Sequence, residues 1–203
     1  MIPLRFYLFR LAAVVAALVM LIGCTPIMKT DKIPTLQTGS PLKGIAPKTF
    51  AFKEFKDQRP TKDPFLVEGE SHSGQWKLDQ TATTVVATAV RKELERNGHT
   101  CVVDSSQSKA DFVIEGALYR YSYIRVQSLV KTKVTAYLKM ELTVRRVSPR
   151  EGALTKSYQG EYGLSDAGGG ISRGTMEDIL NQAILETVKQ ISTDPELISF
   201  LKE

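Results

Sequence analysis

Between Thr132 and Val147 the chain alternates without a break. Val134, Ala136, Leu138, Met140, Leu142 and Val144 are apolar, and Thr135, Tyr137, Lys139, Glu141, Thr143 and Arg145 fall between them. Successive side chains on a strand point to opposite faces, so this period of two puts six apolar residues on one face and leaves the other wet. A strand buried on both faces, as in an all-parallel sheet, would instead read as a continuous apolar run. The pattern therefore calls for antiparallel neighbours and a single covered face. A turn at Ser148-Pro149-Arg150-Glu151-Gly152 sends the chain back through Leu154 to Tyr162, which predicts a hairpin.

Two amphipathic helices are available to cover that face. The first opens at Asp79 or Thr81 and closes at Asn97-Gly98, where glycine can adopt the left-handed conformation. Val86, Val90 and Leu94 recur on one side, widened by Val85 and Ala89, while Arg91, Lys92, Glu93, Glu95 and Arg96 cover the other. The second is capped by Thr175, with Asp178 three positions on, and carries Met176, Ile179, Leu180, Ala183, Ile184, Val188 and Ile191 as its stripe. A short terminal helix starts at Asp194-Pro195. Further strands are read at Thr49 to Asp57, with Phe50 and Phe52 on one face, at Thr100 to Val103, and from Ala110 through Tyr123. Thr61 to Leu78 has no sustained period and reads as a loop with a short strand at Phe65 to Val67. Strands in a run with helices at both ends predict an α+β fold, with two main helices on one face of a mostly antiparallel sheet, forming one domain over 48–203.

Ahead of that domain the sequence has a different character. Arg5 and Arg10 precede an unbroken apolar run from Leu11 to Ile22, and small Gly23 then leads to Cys24, as in a secretory signal. The run is about 12 residues, well short of the roughly 20 that a membrane-spanning helix needs. Leu21-Ile22-Gly23-Cys24 resembles the bacterial lipobox. The resemblance implies cleavage after residue 23, a diacylglycerol on the Cys24 thiol and an acylated new amino terminus, which together exceed the two-signal requirement for stable anchoring. Thr25, rather than Asp, follows the cysteine; by resemblance to the sorting rule of Gram-negative lipoproteins this implies the outer membrane, with the domain facing the periplasm. Residues 24–47 contain Pro26, Pro34, Pro41 and Pro47 and few apolar residues, and read as a flexible lipidated tether.

Removing residues 1–23 takes two arginines and no acids, leaving 25 basic against 22 acidic side chains. That balance is too mild to argue for nucleic acid. With Cys24 acylated, Cys101 has no partner for an internal disulfide and packs as a small apolar residue, with a reactive thiol as the sharper alternative.

Candidate chemistry is sparse. Tyr119, Tyr121 and Tyr123 alternate with Arg120 and Ser122, which predicts an aromatic row on one strand face that could bind a ligand or partner. Asp57-Gln58-Arg59 at a strand end could bind a ligand, although such residues usually close a turn or pair locally. Ser71-His72-Ser73 invites a hydrolase reading, but there is no Gly-x-Ser-x-Gly elbow, orienting acid or oxyanion hole to support it. The two histidines, His72 and His99, lack metal-ligand spacing, and Gly168-Gly169-Gly170 is not followed by Gly-Lys-Ser/Thr, so no metal or cofactor is expected.

Taken together, the lipobox, the strand ending in Asp57-Gln58-Arg59, the helix from Val85 to Gly98 and the Ala110-Asp111 start of a long strand region resemble the YajG-type family of bacterial outer-membrane lipoproteins, over roughly residues 48–192. The family implies a cell-envelope role without an established catalytic site. The expected function is a non-catalytic, lipid-anchored protein whose domain binds another envelope component, as accessory to an assembly or transport machine. The alternative is a lipid- or glycan-binding auxiliary lipoprotein with Tyr119, Tyr121 and Tyr123 lining a groove. The oligomeric state is left open.

Overall fold

A computed structural model describes residues 27–30, 36, 39–70, 75–103, 109–147, 152–166 and 171–203. The signal-like run, Cys24, Ser71, His72, the 148–151 turn and the three glycines at 168–170 lie outside the described residues.

The strands are β1 (Ile27–Met28), β2 (Thr49–Phe52), β3 (Lys56–Asp57), β4 (Leu66–Glu70), β5 (Gln75–Leu78), β6 (Thr100–Val103), β7 (Phe112–Gln127), β8 (Thr132–Arg146) and β9 (Ala153–Asp166). The helices are α1 (Ala82–Arg96), α2 (Arg173–Thr193) and α3 (Pro195–Lys202), with one 3-10 turn at Pro41–Gly44. All nine strands belong to one sheet whose spine is β7. Along one edge β7 pairs with β8 over nearly its whole length, and β8 with β9, both antiparallel. The other edge is shared end to end by β2, β3 and β4, all parallel to β7. Strand β6 extends the sheet beyond β2, while β5 and then β1 extend it beyond β4.

The sheet is therefore mixed, where the alternation of β8 predicted a mostly antiparallel one. The β7-β8-β9 meander is antiparallel as expected. The parallel pairs arise because the chain crosses over through α1 between β2 and β6, and a crossover restores strand direction where a tight hairpin reverses it. The 61–78 segment, expected as a loop, supplies the β4-β5 hairpin.

One face of the sheet is covered. Val134, Ala136, Leu138 and Met140 are fully buried, Leu142 and Val144 nearly so, and they share a core with Val86 and Val90 of α1 and Ile179, Leu180 and Ile184 of α2. Thr81 caps α1, its hydroxyl accepting from the Thr84 N–H at 3.2 Å, and Gly98 beyond the helix sits at φ 89°. For α2 the cap is Ser172, which accepts from the Thr175 N–H at 3.2 Å, so the helix starts one turn before the expected Thr175. Packing of α2 on β9 is close enough that a Cβ at Gly160 would overlap the Ala183 carbonyl oxygen and the Thr187 hydroxyl. Glycine lets the backbones approach there. Asp194 joins α2 to α3 and to the sheet: it accepts from the Glu196 and Leu197 N–H groups and, at 2.9 Å, from the Tyr158 phenol.

The tether expectation needs correction. Met28 is buried in the core, Leu42 is fully buried and Ile45 nearly so. Thr30 donates to Asp79 Oδ1 through its N–H at 3.0 Å, and the Asp79 N–H returns a bond to the Met28 carbonyl at 3.0 Å. Three isolated apolar residues, too sparse to show a period, are enough to dock these pieces on the domain.

Candidate functional site

The uncovered face of the sheet is organised by a defect in β7. Its register with β8 runs Leu118 to Met140 and then Arg120 to Lys139, so Tyr119 is an extra residue. An extra residue in one strand of a pair is a β-bulge, and it changes the parity of everything after it. Before the bulge Phe112, Ile114 and Leu118 face the helices; after it Tyr121 and Tyr123 do, both essentially inaccessible. Tyr119 stays outside, 41% exposed, with Arg120 and Ser122 on the same open face.

The predicted tyrosine row is therefore not on one face, and its three rings do not line a common groove. Tyr121 and Tyr123 are core residues, and burial pushes both phenols above their ordinary range. Only Tyr119 is placed to meet a ligand.

Beside Tyr119 the open face carries a fixed polar cluster. Arg120 donates to Glu70 Oε1 from Nε at 3.1 Å and from Nη2 at 2.6 Å, and its guanidinium carbon lies 4.1 Å from the Tyr137 ring centroid. Ser122 Oγ accepts from Arg120 Nε at 2.9 Å and donates to Glu70 Oε1 at 2.8 Å. The Ser122 hydrogen bond, with Arg120, holds the Glu70 carboxyl below its ordinary range against the opposing effect of burial. A hollow of about 490 Å³ opens here, lined by Arg59, Glu68, Glu70, Tyr119, Arg120 and Lys139 among others. On the other side of Tyr119 a second hollow, about 380 Å³, is bordered by Lys53, Lys56, Glu115 and Glu141. There Lys53 Nζ donates to Glu115 Oε1 at 2.7 Å, and that bond lowers the Glu115 pKa. Tyr119 thus stands as an aromatic post between two charged depressions.

Asp57 and Arg59 bind each other. Arg59 Nε donates to Asp57 Oδ1 at 2.9 Å and Nη2 to Oδ2 at 2.6 Å, a bidentate pair. The same guanidinium donates to the Leu66 carbonyl and, at 3.1 Å, to that of Pro64. Its side chain is 2% exposed. Burial would raise the Asp57 pKa, but the Arg59 hydrogen bonds and charge outweigh it and leave the carboxyl below its ordinary range. The pair closes the connection from β3 to β4, and Arg59 lines the larger hollow.

Cys101 is half-buried, its thiol directed at the Arg91 carbonyl at 3.8 Å, and burial pushes its pKa up to about 12. Almost no thiolate exists at neutral pH, which leaves the packing role. His99 is buried edge-on to Phe50, with Nδ1 accepting from the Lys48 N–H at 3.3 Å. Among the described residues no group of three or more His, Cys, Asp or Glu could hold a metal ion, and no helix is long and apolar enough to cross a membrane.

The features that sequence reasoning missed are Glu70, Arg120 and Lys139. They are ordinary charged residues far apart in the chain, brought together by the register of three strands, and no local motif marks them.

Comparison with solved structures gives the fold a precedent. A crystal structure of a Xanthomonas campestris protein of the DUF330 family superposes with a TM-score of 0.57 at 10% identity, covering 86% of this chain and 96% of that one. A Helicobacter pylori homologue of neuraminyllactose-binding hemagglutinin gives 0.41 at 14% identity, with coverage of 84% and 97%. Lipoprotein GNA1162 of Neisseria meningitidis gives 0.26 at 13%, with 68% and 96%. Identities this low speak to fold alone, and only the first score is high enough for that. No curated protein matches. A family model does match, over residues 54–202, which is most of the chain and includes the residues named around Tyr119 except Lys53. The chain belongs to that family, Lipoprotein_16, described as uncharacterized lipoprotein.

Proposed function

We propose that the chain is a YajG-type lipoprotein, held on the outer membrane by an acylated Cys24 with its domain in the periplasm, and that the open sheet face around Tyr119 binds another envelope protein. The role is non-catalytic, as accessory to an assembly or transport machine. One observation carries the binding surface: helices cover a single face of the sheet, and the bulge at Tyr119 raises an exposed aromatic between two charged hollows on the other. Exposed tyrosine set among fixed charges is the composition of a recognition patch, in which the aromatic supplies area and the charges supply register. Carriage of an acyl chain is less well supported, because Glu68, Glu70, Arg120 and Lys139 would lose hydration against it.

The test places a photo-crosslinking amino acid at Tyr119, and separately at Lys189 on α2, in intact cells. The expected result is one discrete protein adduct from position 119, absent from 189 and weakened by Lys139→Glu. Equal adducts from both positions, or none from 119, overturn the surface. An adduct to glycan alone overturns the protein partner.

A further inference from the structure

Among the described residues a run of exposed apolar side chains stands at the end of the sheet toward which β7 runs. There the β7-β8 turn is tied by Ser128, whose N–H and Oγ donate to the Lys131 carbonyl at 2.8 and 2.9 Å, while Oγ accepts from the Lys131 N–H at 3.0 Å. This closed turn holds Leu129 and Val130 at its apex, 105% and 78% exposed. Val126 beside them is 60% exposed and Leu164, on β9 opposite Val134, 38%. Arg125, Lys131 and Lys133 flank the apex, with Asp166 the acidic residue at the neighbouring strand end. An aliphatic tip with basic shoulders is the composition that settles at an anionic lipid surface.

Chain direction brings the amino terminus to the same side. Strand β4 runs parallel to β7, β5 antiparallel to β4, and β1 parallel to β5, so β1 runs away from the tip and the chain enters it from the tip side. The registers place Ile27 beside Lys77 and Leu66, level with Arg120 of β7 and about nine residues short of the apex, where its carbonyl accepts from Arg173 and its neighbour Met28 is buried. Cys24 is three residues earlier, and three residues reach at most roughly 10 Å. A lipid on Cys24 therefore holds the domain close to the bilayer, and one membrane plane meets both the lipid and the tip when β7 lies oblique to the surface.

We infer that the β7-β8 tip docks on the bilayer itself, with Leu129 and Val130 at the headgroup boundary and Lys131 and Lys133 on anionic headgroups. The inference rests on the acylated Cys24 of the preceding section. Two aliphatic side chains give weak binding by themselves; the acyl chains supply the anchorage and the tip fixes the orientation of the Tyr119 face above the membrane.

The test uses the full lipidated protein, in a Cys101→Ala background, reconstituted into vesicles of phosphatidylethanolamine and phosphatidylglycerol. A single environment-sensitive fluorophore is attached at Val130→Cys or, as reference, at Lys189→Cys. Iodide quenching should be at least about threefold weaker at position 130 than at 189, as expected for burial at the interface, and Leu129→Asp should reduce the difference. Equal quenching in protein that floats with the vesicles overturns the docked tip and leaves the anchor standing. Protein that fails to float overturns the anchor and this orientation with it. Protection at 130 that persists without vesicles assigns the tip to a protein contact and also overturns the inference.

Discussion

Tyr119 and Tyr121, two positions apart on one strand, face opposite sides of the sheet. Tyr119 is the bulged residue on the open face, and Tyr121 is 2% exposed among the helices. Regular strand geometry would place them together, so their separation is the direct measure of the bulge. Truncation should read it out. Tyr121→Ala removes a fully buried ring and should cost about 3–5 kcal/mol in urea unfolding, whereas Tyr119→Ala should stay within about 0.5 kcal/mol. Similar losses at both positions would mean that the two rings share an environment.

That relationship also explains what could be read from the chain. Strand β8 has no irregularity, so its alternation gave its buried face residue by residue, and the stripes on the two helices gave the layer that covers it. In β7 the alternation Tyr-Arg-Tyr-Ser-Tyr continues smoothly through the bulge, because both faces of the strand accept tyrosine there. Side-chain type alone does not register an extra residue. The parallel edge was hidden for a different reason: β2, β3 and β4 are two to five residues long, too short for periodicity, and are held by pairing with one long partner. The polar cluster at Glu70, Arg120 and Lys139 exists only once that pairing is made.

Arg59 should behave as the clasp of the β3-β4 connection. Arg59→Ala removes the guanidinium donors of the Leu66 and Pro64 carbonyls and of the Asp57 carboxylate, which keeps only the backbone N–H at 59, at an expected cost of about 2–4 kcal/mol. Lysine keeps the charge but cannot reproduce the fork, so Arg59→Lys should recover less than half of the loss in chemical unfolding. Full recovery by lysine would show that charge, and not the bidentate geometry, holds the loop.

His99 should make stability fall on mild acidification. Burial is the main cause that lowers its pKa from the ordinary 6.5, and the Lys48 charge adds to it. The unfolded chain therefore takes up a proton at higher pH than the folded one, so stability is lost as pH drops through 6.5 toward the folded value. Asp57 and Glu70 have lowered values, so they protonate only at lower pH and leave this window to the histidine. The melting temperature should fall between pH 7 and pH 5. His99→Gln, which keeps an acceptor for the Lys48 N–H, should remove most of that drop. An unchanged pH profile in the variant would place the titrating group elsewhere.

Met28 should govern how closely the domain is held to Cys24, the residue proposed to carry the lipid. It is the buried residue of β1, and its carbonyl accepts from the Asp79 N–H at 3.0 Å, so exchange of that amide reports release of the segment. Met28→Ala removes most of the apolar burial that docks residues 27–30, whereas Lys29→Ala, at an exposed position, removes none. Amide exchange at Asp79 should rise about 10–100-fold in the first variant, which corresponds to about 1.4–2.8 kcal/mol, and stay unchanged in the second. Release as far as Gly39 would lengthen the span from Cys24 from roughly 10 Å to roughly 50 Å of extended chain. On lipid vesicles the loosened variant should also lose the protection of Val130, because a domain on a long tether no longer has its tip held at the surface. Unchanged exchange at Asp79 would show that the Thr30 and Arg173 hydrogen bonds fix the segment without the methionine.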